Sequence, residues 1–72
     1  LGADASDPYA ILGVSHDADT DTVRAAWRVL IKETIDKLVA EGLPQDFIDM
    51  ATSKMATINN AWGTIQKQRG LK

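Results

Sequence analysis

The stretch TDTVRAAWRVLIKET, residues 20–34, decides the fold. Val23, Ala26, Trp27, Leu30 and Thr34 fall at i, i+3, i+4, i+7 and i+11, one side of a helix with about 3.6 residues per turn. On another side Arg24, Arg28 and Lys32 stand four apart and form a basic ridge. Asp19 is suited to cap the first turn, and Asp21 sits near the positive end of the helix dipole. Isolated Val, Ile and Thr residues never alternate with polar ones over a strand length, so β-structure is not expected.

Towards the N-terminus, Asp7-Pro8 supplies a cap and a proline at the first helical position, and Gly13 follows Leu12 as a stop. These signals bracket a short helix over 8–12. The segment SHDAD, residues 15–19, reads as a connector. Towards the C-terminus a third helix is predicted over 44–68, with Pro44 at its first position, Asp46 in its first turn and Gly70 beyond its end. Phe47, Ala51, Lys54, Ile58, Trp62 and Ile65 trace its seam, flanked by Met50, Met55 and Ala61, and only Lys54 must snorkel.

The end of the second helix is less sharply marked. The run KETIDKLVAEG, residues 32–42, has no proline and no glycine before Gly42, and Ile31, Ile35 and Leu38 extend the apolar stripe. Local rules predict helix over 20–34 or longer, as far as Glu41. Two long helices that each bury one stripe, with a short helix packed across them, make an all-α fold: an antiparallel hairpin within a single module spanning 1–72.

Composition narrows the function classes. With 72 residues the chain is near the lower limit for a lone apolar core, and 44% hydrophobic residues make that core feasible. Having no cysteine, it offers no disulfide and no thiolate metal site, and His16 by itself cannot hold zinc. No apolar run approaches the roughly 20 residues of a membrane span, and no signal-peptide pattern opens the chain. The first residue is Leu1 rather than Met, so the chain reads as a piece of something longer.

A net charge of −2 argues against general nucleic-acid binding. The charge is blocked along the chain: acids at Asp4, Asp7, Asp17, Asp19 and Asp21, then the ridge, then Glu41, Asp46 and Asp49, then a basic tail of Lys54, Lys67, Arg69 and Lys72. No nucleophile–base pair, metal cluster or phosphate-cradling glycine loop is present, so neither enzyme nor cofactor chemistry is expected.

Three motifs carry a resemblance. Asp7-Pro8-Tyr9-Ala10-Ile11-Leu12-Gly13-Val14 is similar to the opening helix of the J-domain family, the helical co-chaperone module of DnaJ-like proteins. Ala26-Trp27-Arg28-Val29-Leu30 resembles that family's Ala-Tyr-Arg-x-Leu on helix two. Ile58-Asn59-Asn60-Ala61-Trp62-Gly63-Thr64-Ile65 resembles its Ile-Asn-x-Ala-Tyr-x-x-Leu on helix three. Residues 36–44 further resemble the subgroup in which the J-domain ends a membrane-anchored DnaJ-like protein.

The resemblance implies docking on the nucleotide-binding domain and linker of a DnaK-type heat-shock ATPase, with stimulation of its ATP hydrolysis. It places Arg24, Arg28, Lys32, Asp36 and Lys37 at the contact. A monomeric domain is expected, the absence of cysteine fits a cytoplasmic setting, and the resemblance adds a longer protein anchored to a membrane that this segment itself does not touch. One departure stands out. Where the family has His-Pro-Asp-Lys, this chain reads Thr34-Ile35-Asp36-Lys37, as though Ile35 had replaced both His and Pro. Proline would end the helix and fix the loop after it. Without one the helix is free to run on, and each missing residue turns the downstream side chains by about 100°.

Each reading has a plainer rival. The ridge is equally readable as a solvated helix face. Trp27, Trp62, Tyr9 and Phe47 read as core, as do Met50 and Met55, rather than as a ligand cage or a soft peptide surface. His16 reads as an exposed loop residue, and Asp46 with Asp49 as partners of the helix dipole rather than as an acid–base pair. A J-like regulator without ATPase stimulation and a purely structural hairpin are the alternatives to an active co-chaperone.

Overall fold

A computed structural model describes residues 7–39 and 42–71. Its elements are helices only: α1 Pro8–Leu12, α2 Thr20–Leu38 and α3 Gln45–Arg69. Trp27 meets Asn59 and Trp62, Thr20 meets Arg69, and Thr34 and Lys37 share a recess with Phe47 and Met50. Rising numbers on one helix therefore face falling numbers on the other, so α2 and α3 are antiparallel, and α1 packs on both.

The ends of α1 and α3 use the same device. Gly13 and Gly70 both adopt left-handed backbone, at φ 72° and 68°. Gly13 N–H donates to the Ala10 carbonyl and Val14 N–H to that of Tyr9; Gly70 N–H donates to Lys67 and Leu71 N–H to Gln66. This double bond pattern closes a helix while satisfying its last carbonyls, and it needs a residue without a Cβ penalty at positive φ. The Asp7 and Asp19 side chains cap the starts of α1 and α2, accepting from Tyr9 N–H at 3.0 Å and from Thr22 N–H at 2.8 Å.

α2 stops differently. It runs four residues beyond Thr34, and Val39 N–H still donates to the Ile35 carbonyl with right-handed backbone at φ −87°. With no proline after Thr34, every N–H needed to continue the helix is present. Glu41, the farthest reach that local rules permit, lies outside the described residues. At the other corner, Pro44 is extended at ψ 152° and stands before the helix, not at its first position, so α3 begins at Gln45. The Pro44 carbonyl accepts from Phe47 and Ile48 N–H, opening the helix without a side-chain cap.

The core occupies one end of the hairpin. Tyr9, Leu12, Val23, Ile58, Ala61, Trp62 and Ile65 are buried together, with Trp27, Leu30, Ile31 and Leu71 packed at the margin. Val23 and Ile65 are wholly inaccessible. The other end is open: in α3 no described residue before Ile58 is buried, and in α2 only Thr34 is buried beyond Val23. The described Cα atoms have a radius of gyration of 13.2 Å, above the ~11 Å of a compact chain this long, and the 40 Å long axis is close to the ~37 Å length of α3 itself.

The seam expected along α3 is thus corrected in its first half. Phe47 and Met50, read as core, are exposed, and Met55 is only half-buried. Ile35 is likewise exposed rather than part of the buried stripe of α2. Their spacing is helical and apolar, but α1 lies at the opposite end, so among the described residues no third layer covers them.

Candidate functional site

The closed end is fastened by polar contacts that position the start of α2. The Arg69 guanidinium, in the last turn of α3, donates to Tyr9 Oη (3.1 Å), Thr20 Oγ1 (3.1 Å), the Ala18 carbonyl (2.7 Å) and the His16 carbonyl (3.4 Å). Its centre also lies 5.4 Å from the Tyr9 ring centroid. Arg has enough fixed donors for this, and a lysine ammonium would not span it. His16 stacks on Tyr9 with ring centroids 4.4 Å apart, and its ring N–H meets Asp7 Oδ2 at 2.8 Å. That hydrogen bond holds the Asp7 carboxyl below its ordinary value, and bonds from Thr22 do the same for Asp19. His16 is exposed, as the sequence suggests, but it is engaged.

From this anchored start α2 projects its cations. Positions four apart drift by about 40° per step around a helix, so Arg24, Arg28, Lys32 and Asp36 wind slowly across one side. The structure separates the first of them from the rest. Arg24 donates to Asp21 Oδ1 at 3.3 Å, and its guanidinium lies 5.9 Å from the Trp62 ring centroid. Beneath it Trp27 and Trp62 stack at 5.5 Å and 18°, and Trp27 Nε1–H donates to Asn59 Oδ1 at 3.0 Å. Arg24 is therefore half-exposed and committed to the hairpin. Arg28 and Lys32 are exposed and make no ion pair among the described residues.

The four residues 34–37 are also parted. Thr34 is buried, its hydroxyl donating to the Leu30 carbonyl at 2.8 Å. Ile35, Asp36 and Lys37 are exposed on continuing helix. Asp36 follows the cation row, whereas Lys37, about 100° further round, lines the recess facing α3. Arg28, Lys32 and Asp36 are thus brought onto one side, with Arg24 at its inner edge and Lys37 on another side.

Sequence reading missed three contributors. Val29, Ile35 and Val39 are 54%, 44% and 72% exposed, which gives the outer side of α2 apolar as well as charged character. Arg69 read only as part of a basic tail, and nothing local shows that it reaches back to Tyr9. The exposure of Phe47 and Met50 had no local signal, because helical spacing reports a side and not its cover.

Neither a protein-family model nor a solved structure matches the chain. Curated relatives do. Co-chaperone protein DjlA of Aliivibrio fischeri is 45% identical over 67 residues, covering 92% of this chain and 24% of that protein. Co-chaperone protein DjlA of Pasteurella multocida is 43% identical over 72 residues, covering 99% of this chain and 25% of that protein. The Vibrio parahaemolyticus protein of the same name is 44% identical over 68 residues, covering 93% and 24%. The chain spans about a quarter of the length of these relatives. Among the described residues no helix is long and apolar enough to cross a membrane.

Proposed function

We propose that this chain, a J-domain-like segment homologous to part of co-chaperone DjlA, is a docking module for a DnaK-type heat-shock ATPase. The observation that carries the reading is the exposed row of Arg28, Lys32 and Asp36 on α2, with Arg24 at its edge and Lys37 round the helix. A row of cations held on a rigid helix suits a charge-steered encounter with an acidic surface. Val29 and Ile35 beside it add apolar contact. The interface is small and polar, so affinity is micromolar or weaker and falls as salt rises. The setting is cytoplasmic, in a longer DnaJ-like protein held at a membrane.

A second reading is favoured by one feature, the helix that continues through Asp36 to Leu38. Where the family has a proline-fixed loop, this chain presents Asp36 on a helical turn. Docking without stimulation of ATP hydrolysis, a regulatory role, follows from that difference. A single-turnover ATPase assay with a DnaK-type partner separates the readings. Stimulation supports an active co-chaperone; binding without stimulation supports the regulator; absence of both leaves a structural hairpin. Putting His-Pro in place of Ile35 is the companion variant, expected to end α2 early and to raise stimulation. Binding that is indifferent to salt between about 0.05 and 0.3 M excludes the cation row as the contact.

A further inference from the structure

The open end of the hairpin carries a second surface that the cation row does not use. Phe47, Met50, Ala51 and Thr34 line a recess of about 340 Å³ between the end of α2 and the start of α3, and Lys37 and Lys54 complete it. Phe47 is 58% exposed and Met50 68% exposed. Apolar side chains gathered round a recess and rimmed by polar groups can receive an apolar group of another molecule. Methionine and phenylalanine together suit an apolar guest, the thioether adapting to its shape.

The rim chooses the guest. Neither Lys37 nor Lys54 makes an ion pair among the described residues, so two ammonium groups border an apolar floor. Asp49 accepts from Gln45 at 3.0 Å and Asp46 sits in the first turn at the positive end of the dipole, and among the described residues neither pairs with Lys37 or Lys54. Cations beside an apolar recess repel basic segments and complement carboxylates. We propose that this recess holds an apolar side chain of an extended protein segment in which Asp or Glu flanks the apolar residues. The site goes beyond the docking proposed above and does not depend on it, because only Lys37 is common to both.

The test is a titration of the ¹⁵N-labelled 72-residue chain with the peptide Gly-Ser-Glu-Leu-Phe-Glu-Ser-Gly, followed by amide chemical shifts. The expected result is saturable shifts at Phe47, Met50, Ala51 and Lys54, with a Kd of about 0.1–1 mM for so small a contact. Phe47→Ser abolishes them while the resonances of Trp62 and Ile65 stay in place. If that variant disturbs the closed end, Met50→Ser takes its role. The Lys37→Glu, Lys54→Glu pair weakens binding by about tenfold and admits a peptide with Lys in place of both Glu. The proposal is overturned by no saturation up to about 5 mM peptide, by shifts confined to Arg28 and Lys32, or by affinity unchanged in the variants. Shifts that grow with chain concentration without peptide also overturn it, since the occupant is then a second copy.

Discussion

At one end of the hairpin Val23, Ile58 and Ile65 lie sealed beneath α1; at the other, Phe47 and Met50 occupy equivalent helical positions with water above them. The same two helices supply both ends, and apart from Lys54 the apolar spacing runs through the first half of α3 as through the second. What differs is the third layer. α1 is only five residues long, and it covers one end. Stability is therefore concentrated at the closed end, while the open end is left with apolar surface and with cations that make no ion pair among the described residues. A domain near the lower size limit keeps few residues to spare for this, so what is exposed at the open end is informative about use.

Breaking the closed end has the largest effect. Ile58→Ala removes a side chain that is 2% exposed and leaves a cavity beneath α1, costing about 3 kcal/mol. A single small core rarely supplies more than about 3–5 kcal/mol, so this variant keeps at most about 2 kcal/mol and loses most of its urea midpoint when unfolding is followed by circular dichroism. A cooperative transition with little loss of urea midpoint shows instead that the open end shares the stability. Arg69→Met is next, at about 2 kcal/mol, since it frees the connector and leaves Tyr9 and two carbonyls without their donor. Amide exchange is expected to accelerate at residues 14–20 and not at 45–55; equal acceleration at both erases the distinction between the ends.

Smaller effects sharpen it. Gly13→Ala meets no neighbour within 4 Å, so its cost of about 1 kcal/mol comes only from placing a Cβ at φ 72°. Acid acts through the same region. The Asp7 and Asp19 carboxyls lie below their ordinary value of 3.8 because His16 and Thr22 hydrogen-bond them. Their ionised forms thus stabilise the folded chain above that value, and the contribution disappears as pH falls through the lower folded-state values. Asp7→Asn keeps a cap but not the charge, and its urea midpoint is expected to fall less steeply than that of the parent on acidification below about pH 4. Phe47→Ser, at the open end, changes stability by no more than about 0.5 kcal/mol. A loss near that of Ile58→Ala means that Phe47 is covered in solution.

How much was legible in the sequence divides along the same line. Helical spacing located the seams because burial on a helix repeats every 3.6 residues, whatever lies opposite. Trp62 and Ile65 are buried as that spacing implies, and Trp27 packs at the core's edge. Spacing alone made the same prediction for Phe47 and failed, because how far a partner extends along a seam is a long-range property. The ridge shows a similar limit. Three cations four apart are one feature in the sequence, yet the Trp27–Trp62 stack draws Arg24 inward and leaves Arg28 and Lys32 to solvent.

What the amino-acid order determined by itself is local: two capping aspartates, two glycine stops, helices of one handed period, and no proline to end α2 after Thr34. Each of these acts within about one turn, through a hydrogen bond or a backbone angle that neighbouring residues supply. Only the tertiary structure decided which apolar residues are covered, which arginine is tied down, and how Asp36 and Lys37 part company. Those outcomes depend on residues up to sixty positions apart, as Tyr9 and Arg69 are, meeting across a packed end that no local pattern encodes.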